Sequence, residues 1–371
     1  MVGMKILAIE TSCDETALAL LKASGGLRAP KFKVIKNLVS SQIEVHRPWG
    51  GVVPNLAKRE HIKNLPIVFE QIFSNPKYRF HRVSSTKSGQ IQNSKIQIPK
   101  IDLLAVTVGP GLEPALWTGV EFAKELKKNI FPKVPLIGAN HLEGHLYSFL
   151  LSQKTANPKS KILNPKIFPA IALIASGGHT ILLKMESLIK WKKLGETRDD
   201  AVGEAFDKAA RILGLPYPGG PEIQKLAANG NPEAVAFPRP MIYDNSPTGK
   251  YEFSFSGLKT SVLYYLRDNP KADKANVAAS FQKAAVDVLI SKTARAVREF
   301  KAKSVMLSGG VAANAYLRDR LREASDKMGV NFLVPPMDFN TDNAVMIAAA
   351  AYIQNLRKKK YAIRAQGNLN L

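Results

Sequence analysis

Cysteine, histidine, acidic residues and long apolar runs are all scarce in this chain of 371 residues. Cys13 is the only cysteine, which excludes an intramolecular disulfide and leads us to expect a reducing cytoplasm. The longest uncharged apolar stretch near the C-terminus, residues 344–353, is about half as long as a membrane-spanning helix must be. The N-terminal apolar run ends at Glu10 without a cleavage-site pattern. We therefore expect neither a membrane protein nor an exported one.

Basic residues greatly outnumber acidic ones. There are 53 lysines and arginines against 30 aspartates and glutamates, a net charge of +23 at pH 7. Such a charge favours a polyanionic partner such as nucleic acid, although a solvated basic surface is the alternative. Residues 74–100 and 152–168 contain no acidic residue and are rich in lysine, serine, asparagine and proline. Their composition predicts basic surface loops inserted between structured segments.

Strand-like and helix-like patterns alternate in both halves of the chain. In the first half, the continuous apolar run at residues 102–108 precedes helical periodicity at 116–127. In the second, apolar runs at 170–175 and 180–184 flank a polar turn, which predicts a hairpin. This alternation predicts an α/β fold, and the length favours two domains.

Three glycine turns follow predicted strands: Gly109-Pro110-Gly111, Ser176-Gly177-Gly178 and Ser308-Gly309-Gly310. Turns of this kind expose backbone N–H groups that can bind phosphate, although tight turns use glycine in any case. The first turn resembles a dinucleotide fingerprint, but Pro114 replaces its third glycine, and no Walker A sequence is present. A nucleotide site, if there is one, belongs to another class.

Two histidines are spaced to share one face of a helix. His141 and His145 stand four residues apart, where they can bind a single metal, although a pair of helix-face histidines without a metal fits as well. A third ligand must come from elsewhere. Asp342 is a candidate, and its alternative role is to cap the last helix.

Acidic residues cluster around another predicted helix start. Asp200, Glu204 and Asp207 fall at i, i+4 and i+7, on one helical face without cationic residues between them. Their repulsion predicts a ligand hydroxyl, a cation or a basic partner at this face.

Ten motifs in order along the chain resemble those of the tRNA threonylcarbamoyladenosine transferases, most closely the bacterial ones. They include Glu10-Thr-Ser-Cys-Asp-Glu-Thr16, His141-Leu-Glu-Gly-His145 and Ser176-Gly-Gly-His-Thr180. The full set is residues 10–16, 50–54, 106–112, 141–145, 176–180, 203–208, 217–221, 253–259, 308–314 and 342–344.

The resemblance implies two actin-like, sugar-kinase-like lobes with the ligand in the cleft between them. We expect an N-terminal lobe at residues 1–140, with the basic insertion at 74–100, and a C-terminal lobe at 141–371 whose last helix packs back on the first lobe. The implied reaction moves the threonylcarbamoyl group from threonylcarbamoyl-AMP to the adenosine beside the anticodon and releases AMP.

The resemblance also implies the site. His141, His145 and Asp342 would hold one divalent metal ion per subunit, iron in preference to zinc. The substrate would be bound by Ile174, Ala175, Ser176, Gly177, Gly178, Asp207, Gly220 and Asn314. No protein nucleophile is implied, and we interpret Cys13 as turn packing. The implied partners are tRNA, a paralogous subunit and a small ATPase.

One departure from the family lies after residue 112, where this chain continues Glu113-Pro114-Ala115 instead of with glycine and small residues. The other enzymes that fit the same fold are an O-carbamoyltransferase and a small-molecule kinase. The first usually carries an extra domain, and the second usually has an aspartate turn after its first strand. A non-enzymatic alternative is a basic scaffold that only holds tRNA.

Overall fold

The computed structural model describes residues 3–74, 99–151 and 167–371. Within these residues the chain forms two compact units. The first contains the described residues of Met1–Glu44, Val52–Leu151 and Asp342–Leu371, and the second contains those of Val45–Gly51 and Ser152–Thr341. Apart from their ends, the two acid-free basic segments lie outside the described residues.

Strands and helices alternate along the chain. The strands are β1 (Met4–Glu10), β2 (Glu15–Ser24), β3 (Lys31–Ser41), β4 (Leu103–Gly109), β5 (Leu136–Asn140), β6 (Ala170–Ala175), β7 (Thr180–Ser187), β8 (Lys190–Glu196), β9 (Ser304–Ser308) and β10 (Asn331–Leu333). The helices are α1 (Ile43–His46), α2 (Pro54–Phe73), α3 (Glu113–Asn129), α4 (His141–Tyr147), α5 (Val202–Ile212), α6 (Gly219–Ala227), α7 (Ser256–Asp268), α8 (Lys274–Glu299), α9 (Ala315–Lys327) and α10 (Ala344–Leu356). The α/β class predicted from the sequence is confirmed.

The two units repeat one sheet topology. The first sheet has the order β3-β2-β1-β4-β5, in which β1, β4 and β5 are parallel and β2 and β3 add antiparallel. The second has the order β10-β9-β6-β7-β8, in which β6, β9 and β10 are parallel and β7 and β8 add antiparallel. Each unit is therefore a hairpin-extended parallel sheet with helical crossovers.

Both faces of the first sheet are buried. In β1, Leu7 and Ile9 join a core with α2 and α3, whereas Ile6 and Ala8 point to the opposite face and are also buried. A strand covered on both faces can be apolar at every position, which accounts for the continuous apolar run of β1.

The last helix belongs to the first unit. Residues 344–354 of α10 are all buried, and the helix packs against the first sheet and against α4. A helix that is apolar on every side must be covered on every side. The two compact units therefore do not meet at residue 140, where we expected the boundary between the lobes. Instead α4 and residues 342–371 pack with the first sheet.

The second sheet is covered by α5, α8 and neighbouring helices. Phe206, Phe253, Phe255 and Phe281 are all buried there, and the aromatic rings of Phe206 and Phe281 meet edge to face at 5.1 Å between centroids. This core holds the ends of β6 and β9, which carry two of the glycine turns. No helix in the described ranges is long and apolar enough to cross a lipid bilayer.

Candidate functional site

Parallel strands bring three chain segments to one edge of the first sheet. β1 ends at Glu10, β4 contains Thr107 near its end, and β5 ends at Asn140, immediately before α4. Because β1, β4 and β5 are parallel neighbours, their carboxyl ends lie side by side. Residues far apart in sequence thus meet at the start of α4.

The histidine helix has a defined start. Asn140 caps α4, since its Oδ1 accepts hydrogen bonds from the backbone N–H groups of Leu142 at 2.8 Å and Glu143 at 3.2 Å. A Cβ at Gly144 would lie 3.1 Å from side-chain atoms of Met346 and Ile347, so glycine there allows α10 to pack close to α4.

Three metal-binding side chains converge in the first unit. One ligand atom from each of His141, His145 and Asp342 lies within 4.8 Å of the others. Asp342 Oδ1 is 3.1 Å from His145 Nε2 and 3.5 Å from His141 Nε2. Both histidines are buried, whereas the Asp342 side chain is about one-fifth exposed. The sequence prediction that these three residues form one group therefore agrees with the structure.

Asp342 is not the cap of the last helix. That position belongs to Asn343, whose Oδ1 accepts from the backbone N–H of Met346 at 3.0 Å. The capping role that we considered for Asp342 is therefore wrong, because α10 begins one residue later than that role requires.

The carboxylate of Glu10 contacts Nδ1 of His141, the ring nitrogen that does not face Asp342. The carboxylate of Glu10 is fully buried and accepts from Ser12 N at 2.5 Å and from Thr107 Oγ1 at 2.7 Å. Glu10 Oε2 also lies 3.1 Å from His141 Nδ1. Ser12 Oγ lies 3.1 Å from the same nitrogen. A carboxylate can only accept, so Nδ1 carries a hydrogen, and Nε2, which faces Asp342, is the nitrogen that is available to a metal once it loses its proton. This is the arrangement that orients a metal-binding imidazole.

The charges around the two histidines favour a cation. Burial lowers the pKa of His141, but the negative charges of Asp342 and Glu10 outweigh burial and bring the pKa to about 9. Burial lowers the pKa of His145, so that ring stays neutral. Burial opposes ionisation of Glu10, yet the charge and hydrogen bond of His141 lower the pKa of this carboxyl. At neutral pH His141 is therefore positively charged between the carboxylates of Glu10 and Asp342, which is a position where a metal ion can take over the positive charge.

The donor set fits a metal ion. In the part of the chain that the structure describes, neither ring nitrogen of His145 has a hydrogen-bond partner, although Nε2 is close to Asp342 Oδ1. Buried polar atoms are nearly always satisfied, and a metal ion would satisfy a nitrogen of the buried His145 ring. Two imidazole nitrogens and one carboxylate oxygen are ligands suited to iron or zinc.

Cys13 does not supply a nucleophile. Burial raises the pKa of the Cys13 thiol well above its usual range, and the neighbouring Asp14 and Glu15 raise it further. A raised pKa disfavours the thiolate, which is the nucleophilic form of cysteine. The Cys13 carbonyl lies 2.9 Å from His61 Nε2, and this contact fastens the β1–β2 turn to α2. These contacts agree with the interpretation of Cys13 as turn packing.

A second group of predicted residues lies in the second unit. Because β6 and β9 are parallel neighbours, the turns that follow Ala175 and Ser308 lie at the same sheet edge. Ser176 N donates to His179 O at 2.8 Å, which closes the first turn. A Cβ added at Gly177, Gly178 or Gly220 would meet no atom of the described residues within 4 Å. These glycines therefore border open space.

The other predicted substrate residues have structural partners as well. Ile174 and Ala175 are completely buried, so only their backbone could reach a ligand. Asp207 Oδ1 accepts from Gly219 N at 2.7 Å, at the start of α6. Asn314 caps α9 through Leu317 N at 2.9 Å and donates from Nδ2 to Gln282 at 2.9 Å.

The predicted acidic face does have cationic partners. Lys208 Nζ lies 2.8 Å from carboxylate oxygens of both Asp200 and Glu204, and Lys259 Nζ lies 3.2 Å from Asp200. Asp200 also precedes α5, which begins at Val202. The expectation of an unpaired acidic face is therefore wrong, because Lys208 follows Glu204 by one helical turn and Lys259 comes from α7.

The Gly109–Gly111 turn contacts the C-terminal segment of the chain. Gly111 N donates to Gly367 O at 3.1 Å, and a Cβ at Gly109 would lie 2.0 Å from Gln366 O. The backbone N–H of Gly111, which we considered as a phosphate donor, therefore binds a carbonyl group of the protein.

Comparisons with known proteins identify the family. The sequence model of the tRNA N6-adenosine threonylcarbamoyltransferases matches residues 33–86 and 81–349. The chain belongs to this family. It is 46% identical to the tRNA N6-adenosine threonylcarbamoyltransferase of Thermosipho melanesiensis over 99% of this chain and 100% of that one. Against the Moorella thermoacetica protein of the same name, identity is 44% over 95% and 92%.

Solved structures show the fold. HypF in a phosphate- and nucleotide-bound form has a TM-score of 0.55 at 13% identity, covering 98% of this chain and 56% of that one. HypF of T. kodakarensis has a TM-score of 0.53 at 15% identity, covering 96% and 48%. With the repeated sheet topology, these likenesses confirm the predicted actin-like, sugar-kinase-like fold.

Sequence reasoning overlooked the residues behind the histidines. Glu10, Ser12 and Thr107 were noticed only within family motifs, without a role. Their position in the sequence could have indicated a role. Glu10 and Thr107 lie at or near the carboxyl ends of β1 and β4, which the sheet order places beside β5.

Proposed function

We propose that this protein transfers the threonylcarbamoyl group of threonylcarbamoyl-AMP to the exocyclic amino nitrogen of the adenosine adjacent to the anticodon, in tRNAs that read codons beginning with A. In this reaction the amino nitrogen attacks the carbamoyl carbon and forms a C–N bond. The bond from that carbon to the phosphate oxygen breaks, AMP leaves with the electron pair, and the amino nitrogen loses a proton.

One observation carries the proposal: the buried His141 and His145 meet the partly exposed Asp342 in a chain that matches a member of the family over 99% of its length. A metal bound by these three side chains supplies a Lewis acid that can stabilise negative charge on an oxygen. Glu10 and Ser12 fix the His141 ring so that Nε2 is the nitrogen available to the metal. Because AMP is a good leaving group, the reaction needs no protein nucleophile, and the raised pKa of the Cys13 thiol disfavours the thiolate.

The second unit supplies the proposed substrate contacts. Open space beside Gly177, Gly178 and Gly220 supports a ligand that approaches backbone N–H groups there. A carboxylate can accept several hydrogen bonds, so a ligand hydroxyl can join Gly219 N at Asp207, and the amide of Asn314 can form two bonds besides those to Gln282 and Leu317. In this proposal Ile174 and Ala175 contribute backbone atoms and Ser176 contributes its turn.

The finer assignments belong to the same proposal. The metal is iron in preference to zinc, because two histidines and one carboxylate form the usual ligand set of non-haem iron. The protein works in the cytoplasm, and its partners are a paralogous subunit and a small ATPase. These assignments rest on the family resemblance. Neither the O-carbamoyltransferase nor the kinase alternative is favoured, since full-length relatives carry the threonylcarbamoyltransferase name.

The test combines metal content with single-turnover transfer. Wild-type protein, His141→Ala and Asp342→Asn are analysed for bound metal and for threonylcarbamoyl transfer to tRNA, followed by nucleoside analysis. Both variants should lose metal and modification while remaining folded. Asp338→Asn is the matched control, because Asp338 is exposed and lies four residues before Asp342.

Two results would contradict the proposal. Transfer at the wild-type rate by metal-free His141→Ala would remove the metal from the reaction. A wild-type protein that binds tRNA but transfers nothing, with its partners present, would favour the scaffold alternative.

A further inference from the structure

The face of α4 opposite the histidines contacts the C-terminal segment that follows α10. Glu143 lies between His141 and His145 in sequence, and two residues along a helix turn a side chain through about 200°. Its carboxylate therefore points away from the metal-binding group, and it is fully buried. A buried carboxylate needs a charged partner to be tolerated.

That partner comes from residues 357–370, here called the C-terminal tail. Lys359 Nζ lies 2.9 Å from Glu143 Oε1, and Tyr361 donates its hydroxyl to the same oxygen at 3.2 Å. Lys359 also bonds the Tyr361 hydroxyl, and Arg357 Nη1 lies 3.6 Å from Glu143 Oε1. Three tail side chains thus hold one carboxylate of the metal-binding helix.

A second contact reaches the cap of the same helix. Asn140 Nδ2 donates to Asn370 O at 3.0 Å, while its Oδ1 accepts from the first turn of α4. One amide therefore joins the tail to the helix start. Further along, Gln366 N donates to Val108 O at 2.8 Å, and the buried side of Leu369 packs on the first core.

The short length of α4 makes these contacts important. A helix of seven residues has little stability of its own, so its orientation depends on tertiary contacts. Asp342, at the start of the same C-terminal segment, faces the histidine side of α4, whereas the tail holds the opposite side. The helix is thus fixed from both sides by one segment.

We infer that the C-terminal tail is a positioning element that holds α4 in the geometry in which His141 and His145 bind metal. Lys359 and Glu143 are its principal pair. The inference rests on the metal site of the proposed function and extends it to residues that do not touch the metal. Loss of partners behind a metal ligand typically lowers metal affinity about 10–100-fold.

The experiment compares four variants of the full chain: Lys359→Met, Lys359→Arg, Glu143→Gln and Lys360→Met. Zn²⁺ affinity is measured by competition with a chromophoric chelator, and amide hydrogen exchange is measured across α4 in the metal-free protein. Lys359→Met and Glu143→Gln should bind Zn²⁺ about tenfold more weakly, and the α4 amides should exchange faster. Lys359→Arg should remain near wild type. Lys360→Met is the matched control, because Lys360 is an exposed lysine on the same tail.

Each outcome decides between the inference and its alternatives. Unchanged exchange across α4 in Lys359→Met would overturn positioning, and faster exchange with unchanged Zn²⁺ affinity would overturn its link to the metal. If wild-type protein binds no metal, the proposed site fails and the exchange comparison alone decides whether the tail holds α4. Circular dichroism identifies any variant that fails to fold. In that case Tyr361→Phe replaces it, because it removes one hydrogen bond to Glu143 and keeps the ion pair; the same changes should appear to a smaller extent, and unchanged exchange across α4 would overturn positioning.

Discussion

Replacing Glu10 with glutamine should weaken metal binding without touching a metal ligand. The Glu10 carboxylate accepts from three groups: Ser12 N, Thr107 Oγ1 and His141 Nδ1. An amide has only one oxygen, so its NH₂ group must face at least one of these donors. A hydrogen bond to a charged group contributes roughly 1.5–3 kcal/mol, and the His141 contact is the one that sets the tautomer of the ring.

The magnitude follows from that geometry. If Nδ1 loses its acceptor, the imidazole can carry its hydrogen on Nε2, which removes the lone pair that faces Asp342. We expect metal affinity to fall about 10–100-fold, or about 1.4–2.7 kcal/mol. Ser12→Ala, which removes only the second contact to His141 Nδ1, should lose less.

The assay is a Zn²⁺ titration against a competing chelator, with urea unfolding to confirm that the variant is folded. Glu121→Gln is the matched control, since Glu121 is exposed on α3 and forms a surface ion pair with Lys124. A Glu10→Gln protein that binds Zn²⁺ within twofold of wild type would show that this carboxylate does not orient His141.

Three further predictions concern other parts of the chain. Asp207→Asn should lose transfer activity and stay within about 1 kcal/mol of wild-type stability, because an asparagine oxygen can still accept from Gly219; a large stability loss with activity per folded molecule retained would make Asp207 structural. Deleting residues 74–100 and 152–168 should flatten the salt dependence of tRNA binding, measured as the slope of log affinity against log salt. An unchanged slope would exclude the two segments from binding. Burial, and secondarily Arg295, lowers the pKa of Lys292 to about 8. The unfolded chain therefore binds more protons than the folded one above that pH, and the free energy of unfolding should rise from about pH 8 to about pH 10.4. Urea unfolding of Lys292→Met should lack this contribution, and a wild-type minus variant difference that stays constant over the window would refute it.

Several local features could be predicted from the sequence because they depend on neighbours in the chain. The helical periodicity at residues 116–127 lies within α3, and the hairpin predicted around Ser176 is formed by β6 and β7. The strand β8 was not predicted, because its Lys190-Trp-Lys-Lys193 start lacks the apolar pattern of a buried strand. This strand needs no such pattern, because it lies at the edge of the sheet and its lysines are exposed.

The sequence alone determined that His141 and His145 share a helix face, since a spacing of four residues is enough to place them there. Only the tertiary structure decided what surrounds them. Glu10 is 131 residues from His141, and Lys359 is 216 residues from Glu143, so no local pattern links either pair. The order of the parallel strands brings Glu10 to His141, and the packing of α10 on the first sheet carries both Asp342 and the tail to α4. Contacts of this kind depend on how the sheet and the last helix pack, because their partners become neighbours only after the chain has folded.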